Sequence, residues 1–297
     1  MSTSVFESET VLPSKELTAR AKTLLGFEDI YSRVSNQLRL LINADQIEAW
    51  SKKHHGGKRL VMVDLLREQY PFAIFYGDVG TGKSAMAETI GNRIAADSKI
   101  EDCMLYKLSN RVRGTGSVGE MGTLISKAFT EIKNSIGKDR RAILIIDEGD
   151  SLAATRTQEH SHHEDKVAVN TLIQAIDELR ASKGRIFTIL CTNRMSVLDP
   201  AVLRRASIVE QFQRPSDEQR RDLFEMDLGD LGLKPAQVEA LVVATRAASD
   251  QPSWTYSDIR TRLYPAAVAL AFPDNALTFE HLEQALKVVS PSPALVD

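Results

Sequence analysis

The chain has 297 residues, 43% hydrophobic and 26% charged, the balance of an ordinary globular protein with room for one large domain and one small one. A net charge of -3 and a pI of about 6.1 leave no global basic field to attract nucleic acid or an anionic membrane surface. No apolar run approaches the roughly 20 residues needed to cross a bilayer, and the polar stretch Met1 to Ser14 has no signal-peptide pattern, so a cytoplasmic protein is expected.

Residues 1–15 read as mobile, and residues 16–53 as helix with short breaks, with Leu38, Leu40, Leu41 and Ile42 supplying apolar surface. The basic stretch Ser51 to Arg59 reads as a solvated loop. From Pro71 the pattern changes. Phe72 to Tyr76 is a short apolar run, hence a buried strand, followed by a glycine loop and a helix from Ser84 to Ala96. Cys103 to Leu108 is a second strand, residues 109–122 a glycine-rich loop and 123–136 a helix. Ala142 to Ile146 is apolar throughout, as a central parallel strand should be. A helix over 165–182 and a fourth strand over Arg185 to Thr192 complete the alternation. Cys103 and Cys191 lie in two of these strands and read as packed, reduced thiols, with a disulfide as the alternative. Strands alternating with helices predict an α/β parallel sheet. Beyond Pro215 only helices are expected, at about 216–227, 235–248, 255–272 and 278–289.

The loop after the first strand, Gly77-Asp78-Val79-Gly80-Thr81-Gly82-Lys83-Ser84, matches G-x-x-x-x-G-K-[ST]. Glycines let backbone N–H groups converge on phosphate oxygens, Lys83 reaches the β- and γ-phosphates, and the Ser84 hydroxyl ligates Mg2+. With Ala85 in the first helical turn, this segment is the expected ATP-binding site. Asp147 and Glu148 end the strand 142–146, at the carboxyl edge of a parallel sheet. Asp147 is expected to hold Mg2+ and Glu148 to orient and polarise the attacking water. Asp150 reads as solvent-facing or a helix cap. Asn193, after the fourth strand, is the candidate sensor of water and γ-phosphate, against an asparagine that merely begins a turn. Arg204 and Arg205 follow a short helical segment and read as arginine fingers for a neighbour's γ-phosphate. A helix C-terminus favouring cations is the alternative, and nothing in the sequence chooses between the two arginines. The cluster His160, His162, His163, Glu164 and Asp165 lacks two separated ligand pairs and reads as a solvated loop rather than a metal site.

This ordered set, ending in a helical domain, resembles the AAA+ ATPases. Within them, Ile146-Asp147-Glu148-Gly149-Asp150-Ser151-Leu152-Ala153-Ala154-Thr155-Arg156, Val169 to Asp177 and Arg205-Ala206-Ser207-Ile208 resemble the pachytene-checkpoint family, over roughly residues 24–270. The resemblance implies an AAA+ P-loop fold: a flexible N-terminus (1–23), linker helices (24–70), an α/β ATPase domain (71–214) and a helical lid (215–297). It implies a homohexameric ring that hydrolyses ATP with Mg2+ to convert a HORMA-domain protein from a closed to an open state. Bacterial relatives of this kind are encoded beside a HORMA protein and a cyclic-oligonucleotide synthase, whose antiphage signalling they switch off. The same resemblance implies a nucleotide-sensing arginine in the lid, Arg260 or Arg262.

Two departures stand out. Eukaryotic members of the family carry a separate N-terminal substrate-binding domain, whereas the roughly 70 residues before the phosphate loop here resemble the AAA+ linker, as expected of the shorter bacterial relatives. The expected pore loop, Arg111 to Met121 with Gly116, Ser117 and Val118 at its centre, carries no aromatic residue, leaving Val118 or Met121 to grip a threaded chain. The competing reading, a nucleic-acid-linked AAA+ module of the clamp-loader or transposition-helper type, is disfavoured by the acidic charge and the lack of an appended DNA-binding motif. A third is a nucleotide switch that does not thread.

Overall fold

A computed structural model describes residues 4–43, 46–100, 102–108, 120–137, 140–150, 163–249 and 251–295. The chain divides into two compact units: Met1–Thr23, Phe27–Tyr76 and Ser84–Gln211 form one, and Leu24–Gly26, Gly77–Lys83 and Phe212–Asp297 the other.

The first unit is built on a six-stranded sheet. Its strands are β1 (Phe6–Leu12), β2 (Phe72–Gly77), β3 (Cys103–Leu108), β4 (Arg141–Ile146), β5 (Ile186–Thr192) and β6 (Ile208–Phe212), in the order β1-β3-β4-β5-β2-β6. β3, β4, β5 and β2 run parallel, and β1 pairs antiparallel with β3. Every residue of β4 and β5 is buried, because a parallel sheet is covered on both faces and its central strands alternate nothing with water. Cys103 and Cys191 are buried free thiols, and burial pushes the Cys103 pKa up to about 12.

Helices cover both faces. On one, Ile125, Phe129 and Ile132 of α6 (Glu120–Ile136) and Leu172, Ile176 and Leu179 of α7 (His163–Leu179) share a core with Phe72, Ile74, Leu144, Ile146 and Leu190. On the other lies α5 (Lys83–Asp97), where a Cβ on Gly91 would meet Ile143 Cδ1 at 3.2 Å. The helical stretch with short breaks expected over 16–53 is α1 (Lys15–Ala21), α2 (Phe27–Ile42) and α3 (Ile47–His54), followed by α4 (Val61–Arg67). In α2 the buried residues Phe27, Tyr31, Val34, Leu38 and Leu41 recur at three- and four-residue steps, a single apolar stripe. The basic stretch begins inside α3, and its turn is pinned by fully buried Ser51, whose hydroxyl donates to Lys58 O (3.2 Å) and accepts from Leu60 N (3.0 Å).

The expectation of a mobile N-terminus needs correction. Residues 6–12 are an edge strand, anchored by Leu12 at 1% exposure and by the Phe6 ring 4.8 Å from that of Tyr106. Ser14 then caps α1. β1 is an edge strand with four of its seven residues exposed, so its composition reads as polar tail. β6 was likewise not anticipated; its burial alternates around Val209, Glu210 and Gln211.

The second unit is helical: α9 (Asp217–Leu228), α10 (Pro235–Ala244), α11 (Tyr256–Asp258), a π-helical turn (Ile259–Leu263), α12 (Tyr264–Ala271) and α13 (Phe279–Val288). The short α8 (Pro200–Leu203) belongs to the first unit. Ser216 opens α9 with a reciprocal capping box to Gln219. Leu223, Phe224, Leu241, Trp254, Ile259, Leu263 and Leu282 form its core, against which Leu25 packs.

Candidate active site

The loop Gly77 to Lys83 shows why its glycines are glycines. A Cβ on Gly77 (φ +143°) would lie 2.0 Å from Phe212 O, and one on Gly80 (φ +77°) 2.6 Å from Thr255 Oγ1, so neighbouring backbone and the start of α11 leave no room for a side chain. Lys83 is only 6% exposed. Its ammonium donates to Gly77 O (2.9 Å) and Asp78 O (2.8 Å), so the loop wraps its own carbonyls around the cation. The Thr81 hydroxyl donates to Asp78 O at 2.8 Å. The Asp78 carboxylate accepts from Val79 N (2.9 Å) and from Arg214 Nε (2.6 Å), and therefore shapes the loop from behind. Gly82 has φ +93°; Val79 is exposed, and Ser84 and Ala85 are half-buried in the first turn of α5. That helix is long enough to present a positive N-terminal end.

In the first unit, sheet register aligns the strand ends. Tyr76 pairs with Thr192 and Ile146 with Leu190, so β2, β5 and β4 finish at one edge. Asp147 and Glu148 follow β4 directly, both half-buried, and Asp147 Oδ1 accepts from Glu148 N at 3.0 Å. Glu148 is held at φ +51°, a left-handed conformation that costs a residue with a side chain on the order of 1 kcal/mol or more. Gly149 next to it donates its N–H to Cys191 O (2.7 Å), and a Cβ there would meet Leu190 Cδ2 at 2.4 Å. The acidic pair is thus clamped against β5. Asp150 is half-buried rather than solvent-facing and accepts from the Thr192 hydroxyl (3.3 Å). Thr192 is fully buried and also accepts from Arg194 N (3.1 Å), fixing the turn that carries half-buried Asn193. Sequence reading assigned no role to Thr192, whose hydroxyl stands at the carboxyl end of a largely apolar strand.

The two arginines separate clearly. Arg205 is engaged within its own unit: Nε and Nη2 bond both oxygens of Asp177 (2.5 and 2.9 Å), Nη1 bonds Ala201 O (2.7 Å), and the guanidinium lies 5.6 Å from the Tyr70 ring centroid. The Arg205 hydrogen bonds hold the Asp177 carboxyl below its usual range. Arg204 is exposed, and its side chain makes no hydrogen bond or ion pair among the described residues. In the helical unit, Arg260 gives Nε and Nη2 to Asp227 (2.7 and 2.8 Å), and that bond holds its own pKa up. A sensing role for Arg260 requires this pair to open. Arg262 donates to Ser290 O at 3.3 Å.

Gly116, Ser117 and Val118 of the expected pore loop lie outside the described residues, as do His160 and His162. Met121, the other candidate for gripping a chain, is partly buried and packs against the sheet core. His163, Glu164 and Asp165 open α7, and no group of three or more His, Cys, Asp or Glu suited to a metal occurs among the described residues. The donor types at the strand edge fit Mg2+ nonetheless. The Ser84 hydroxyl and the Asp147 carboxylate are hard oxygen donors, few in number, as suits an ion that keeps waters and shares substrate phosphates.

Known proteins place these features in context. The model of the ATPase family associated with various cellular activities (AAA) matches residues 73–214. CD-NTase-associated protein 6 of Escherichia coli (strain KTE188) is 59% identical over 294 residues, covering 99% of this chain and 98% of that protein. The protein of the same name from E. coli (strain MS 115-1) is 40% identical over 302 residues, 99% of this chain and 96% of its own. Among solved structures, the E. coli MS115-1 HORMA:CdnC:Trip13 complex contains a chain that matches with a TM-score of 0.87 at 38% identity, covering 100% of both chains. Rhizobiales Trip13 matches with a TM-score of 0.70 at 32% identity, over 97% of this chain and 99% of that one.

Proposed function

Because this chain belongs to the AAA family of ATPases, in the group of CD-NTase-associated protein 6, we propose that it uses ATP hydrolysis to remodel a HORMA-domain protein and thereby turns down a cyclic-oligonucleotide antiphage signal. The observation that carries this reading is the full-length likeness to the Trip13 chain solved together with a HORMA protein and CdnC.

The reaction is attack of water on the γ-phosphorus of ATP, breaking the bond to the bridging oxygen and giving ADP and phosphate. Lys83 exchanges the carbonyls of Gly77 and Asp78 for phosphate oxygens, an exchange of like for like in a buried place. Loop N–H groups from Gly77 to Ser84 and the N-terminal end of α5 hold the phosphates, with Ala85 behind them. Ser84 and Asp147 hold Mg2+, which neutralises charge on the phosphates. Glu148 orients and polarises the water, and its strained backbone suits a side chain placed for chemistry rather than for stability. Asn193 reads the γ-phosphate from the neighbouring strand end. Arg204, exposed and without a partner among the described residues, is assigned as the finger delivered to a neighbouring subunit, and Arg205 as its anchor through Asp177.

This assignment makes the protein a ring, and a hexamer is proposed. Exposed Val61 (78%), Met62 (61%) and Leu65 (62%) on α4 support burial against a further copy. The test is the ATPase rate of the purified protein with and without a HORMA protein and its nucleotide cyclase. Stimulation by the HORMA protein is expected; a rate indifferent to it, but raised by DNA with a steep salt dependence, would instead favour the nucleic-acid-linked reading.

A further inference from the structure

Asp78 does more than occupy a variable position of the phosphate loop. Its carbonyl holds the Lys83 ammonium (2.8 Å), and its carboxylate is held by Arg214 Nε (2.6 Å), with side-chain exposures of only 15% for Asp78 and 11% for Arg214. The remaining Arg214 donors reach away from the loop. Nη1 bonds Ser253 O, and Nη2 bonds Ser292 O (3.0 Å) and Pro293 O (3.1 Å) in the segment that follows α13. Leu295 N returns to Asp78 Oδ1 at 3.4 Å.

Two further residues tie down the same segment. Asp258, 1% exposed at the end of α11, accepts from Ser292 N (3.0 Å) and Ser292 Oγ (2.6 Å) through one oxygen, and from Thr255 N and Oγ1 (3.0 and 2.8 Å) through the other. Burial alone would raise its pKa, yet these hydrogen bonds outweigh it and hold the carboxyl ionised. Arg262 bonds Ser290 O. Meanwhile Ser257 N, one turn along, donates to Gly80 O of the loop at 3.2 Å. The segment is therefore held by polar bonds from Arg214, Asp258 and Arg262 as well as by buried Pro291, and through Ser292, Pro293 and Leu295 it meets Arg214 and Asp78, the two residues that shape the phosphate loop.

We propose that Ser290–Leu295 is a strap closed on the back of the phosphate loop, and that Arg214 is a positioning residue that makes nucleotide binding and strap docking one linked equilibrium. This rests on the reading of Gly77 to Ser84 as the ATP site. Arg214 touches neither the phosphates nor the attacking water. It acts by fixing Asp78, so the loop is ordered before nucleotide arrives and the cost of ordering is not charged to binding. Linkage is reciprocal: a bound nucleotide tightens the strap, and a strap pulled away weakens nucleotide binding by the same factor.

The experiment compares the full chain with Arg214→Ala, Arg214→Lys and Leu295→Pro, the last removing the N–H that reaches Asp78. Hydrogen exchange of the 290–295 amides is read with and without a non-hydrolysable ATP analogue and Mg2+, alongside KM and kcat for ATP. Arg214→Ala is expected to raise KM about tenfold with kcat nearly unchanged, and to leave the strap amides exchanging freely whether or not analogue is present. Arg214→Lys recovers part of both effects because it retains the charge, and Leu295→Pro shows a smaller KM increase with the loop residues intact. Strap exchange that ignores the analogue in the unaltered protein, or an Arg214→Ala variant with lower thermal stability but normal KM, overturns the linkage while leaving the ATP site standing. Failure of the unaltered protein to bind the analogue at all overturns both.

Discussion

Glu148 is held in a left-handed backbone conformation one residue beyond a fully buried strand, with Gly149 pressed onto Leu190 behind it. Conformational strain of this kind persists only where the surroundings over-determine it. Glu148→Gln keeps the size and the hydrogen-bonding reach of the side chain but removes the base. Turnover is expected to fall at least about a hundredfold with nucleotide binding retained, as read by phosphate release beside equilibrium binding; undiminished turnover would move the water-polarising role elsewhere. The arginine pair offers a second contrast. Arg204→Ala is expected to cost about a thousandfold in hydrolysis without a change in thermal stability. Arg205→Ala should cost about 1 kcal/mol of stability, discounted because Asp177 is 41% exposed. The sign with pH follows from Asp177, whose folded pKa is depressed by Arg205. The pair's contribution is complete above the unfolded carboxylate value of about 3.9 and is lost as pH falls through the lower folded value. Denaturation of the unaltered protein and of Arg205→Ala should therefore converge at strongly acid pH and differ most above it.

At the scale of elements, β1 is the informative case. A strand that closes one sheet edge antiparallel to β3 makes Leu12 a core residue. Leu12→Ala is expected to lose about 2–4 kcal/mol in chemical denaturation, the range for a fully buried leucine, whereas a mobile terminus would tolerate it with no measurable loss. The central elements were legible because parallel strands buried on both faces are written as unbroken apolar runs, as in Ala142 to Ile146. Edge strands β1 and β6 were not: β1 mixes glutamate, serine and threonine with few apolar residues, and β6 is a five-residue strand interrupted by Glu210 and Gln211. The helices of the second unit were placed with the help of prolines, and Pro235 does stand at the start of α10; Ser216 and Thr278 cap α9 and α13.

At the scale of the whole molecule, the proposed delivery of Arg204 to a neighbour's γ-phosphate requires further copies of the chain. Glu148→Gln with ATP and Mg2+ should sediment as a closed ring, since that variant holds nucleotide without spending it. A monomer under those conditions would leave Arg204 with no γ-phosphate to reach and would sink the ring assignment. Among the described residues, no helix is long and apolar enough to cross a membrane.

By itself, the sequence carried the expectation of an ATP site. A phosphate loop places Gly77, Gly82, Lys83 and Ser84 at fixed spacing within eight residues, and the acid pair Asp147 and Glu148 follows an apolar strand, so both leave local patterns in the chain. Choices among like residues were left to tertiary structure, because they depend on partners distant in sequence. Arg205 is paired with Asp177 while Arg204 is not, Arg260 is paired with Asp227, and Met121 packs against the core. Asp78 is joined through Arg214 to carbonyls more than two hundred residues away. A guanidinium carries the same charge wherever it stands; only folding decides which carboxylate or carbonyl it meets, and hence whether it holds the protein together or remains available to a neighbour.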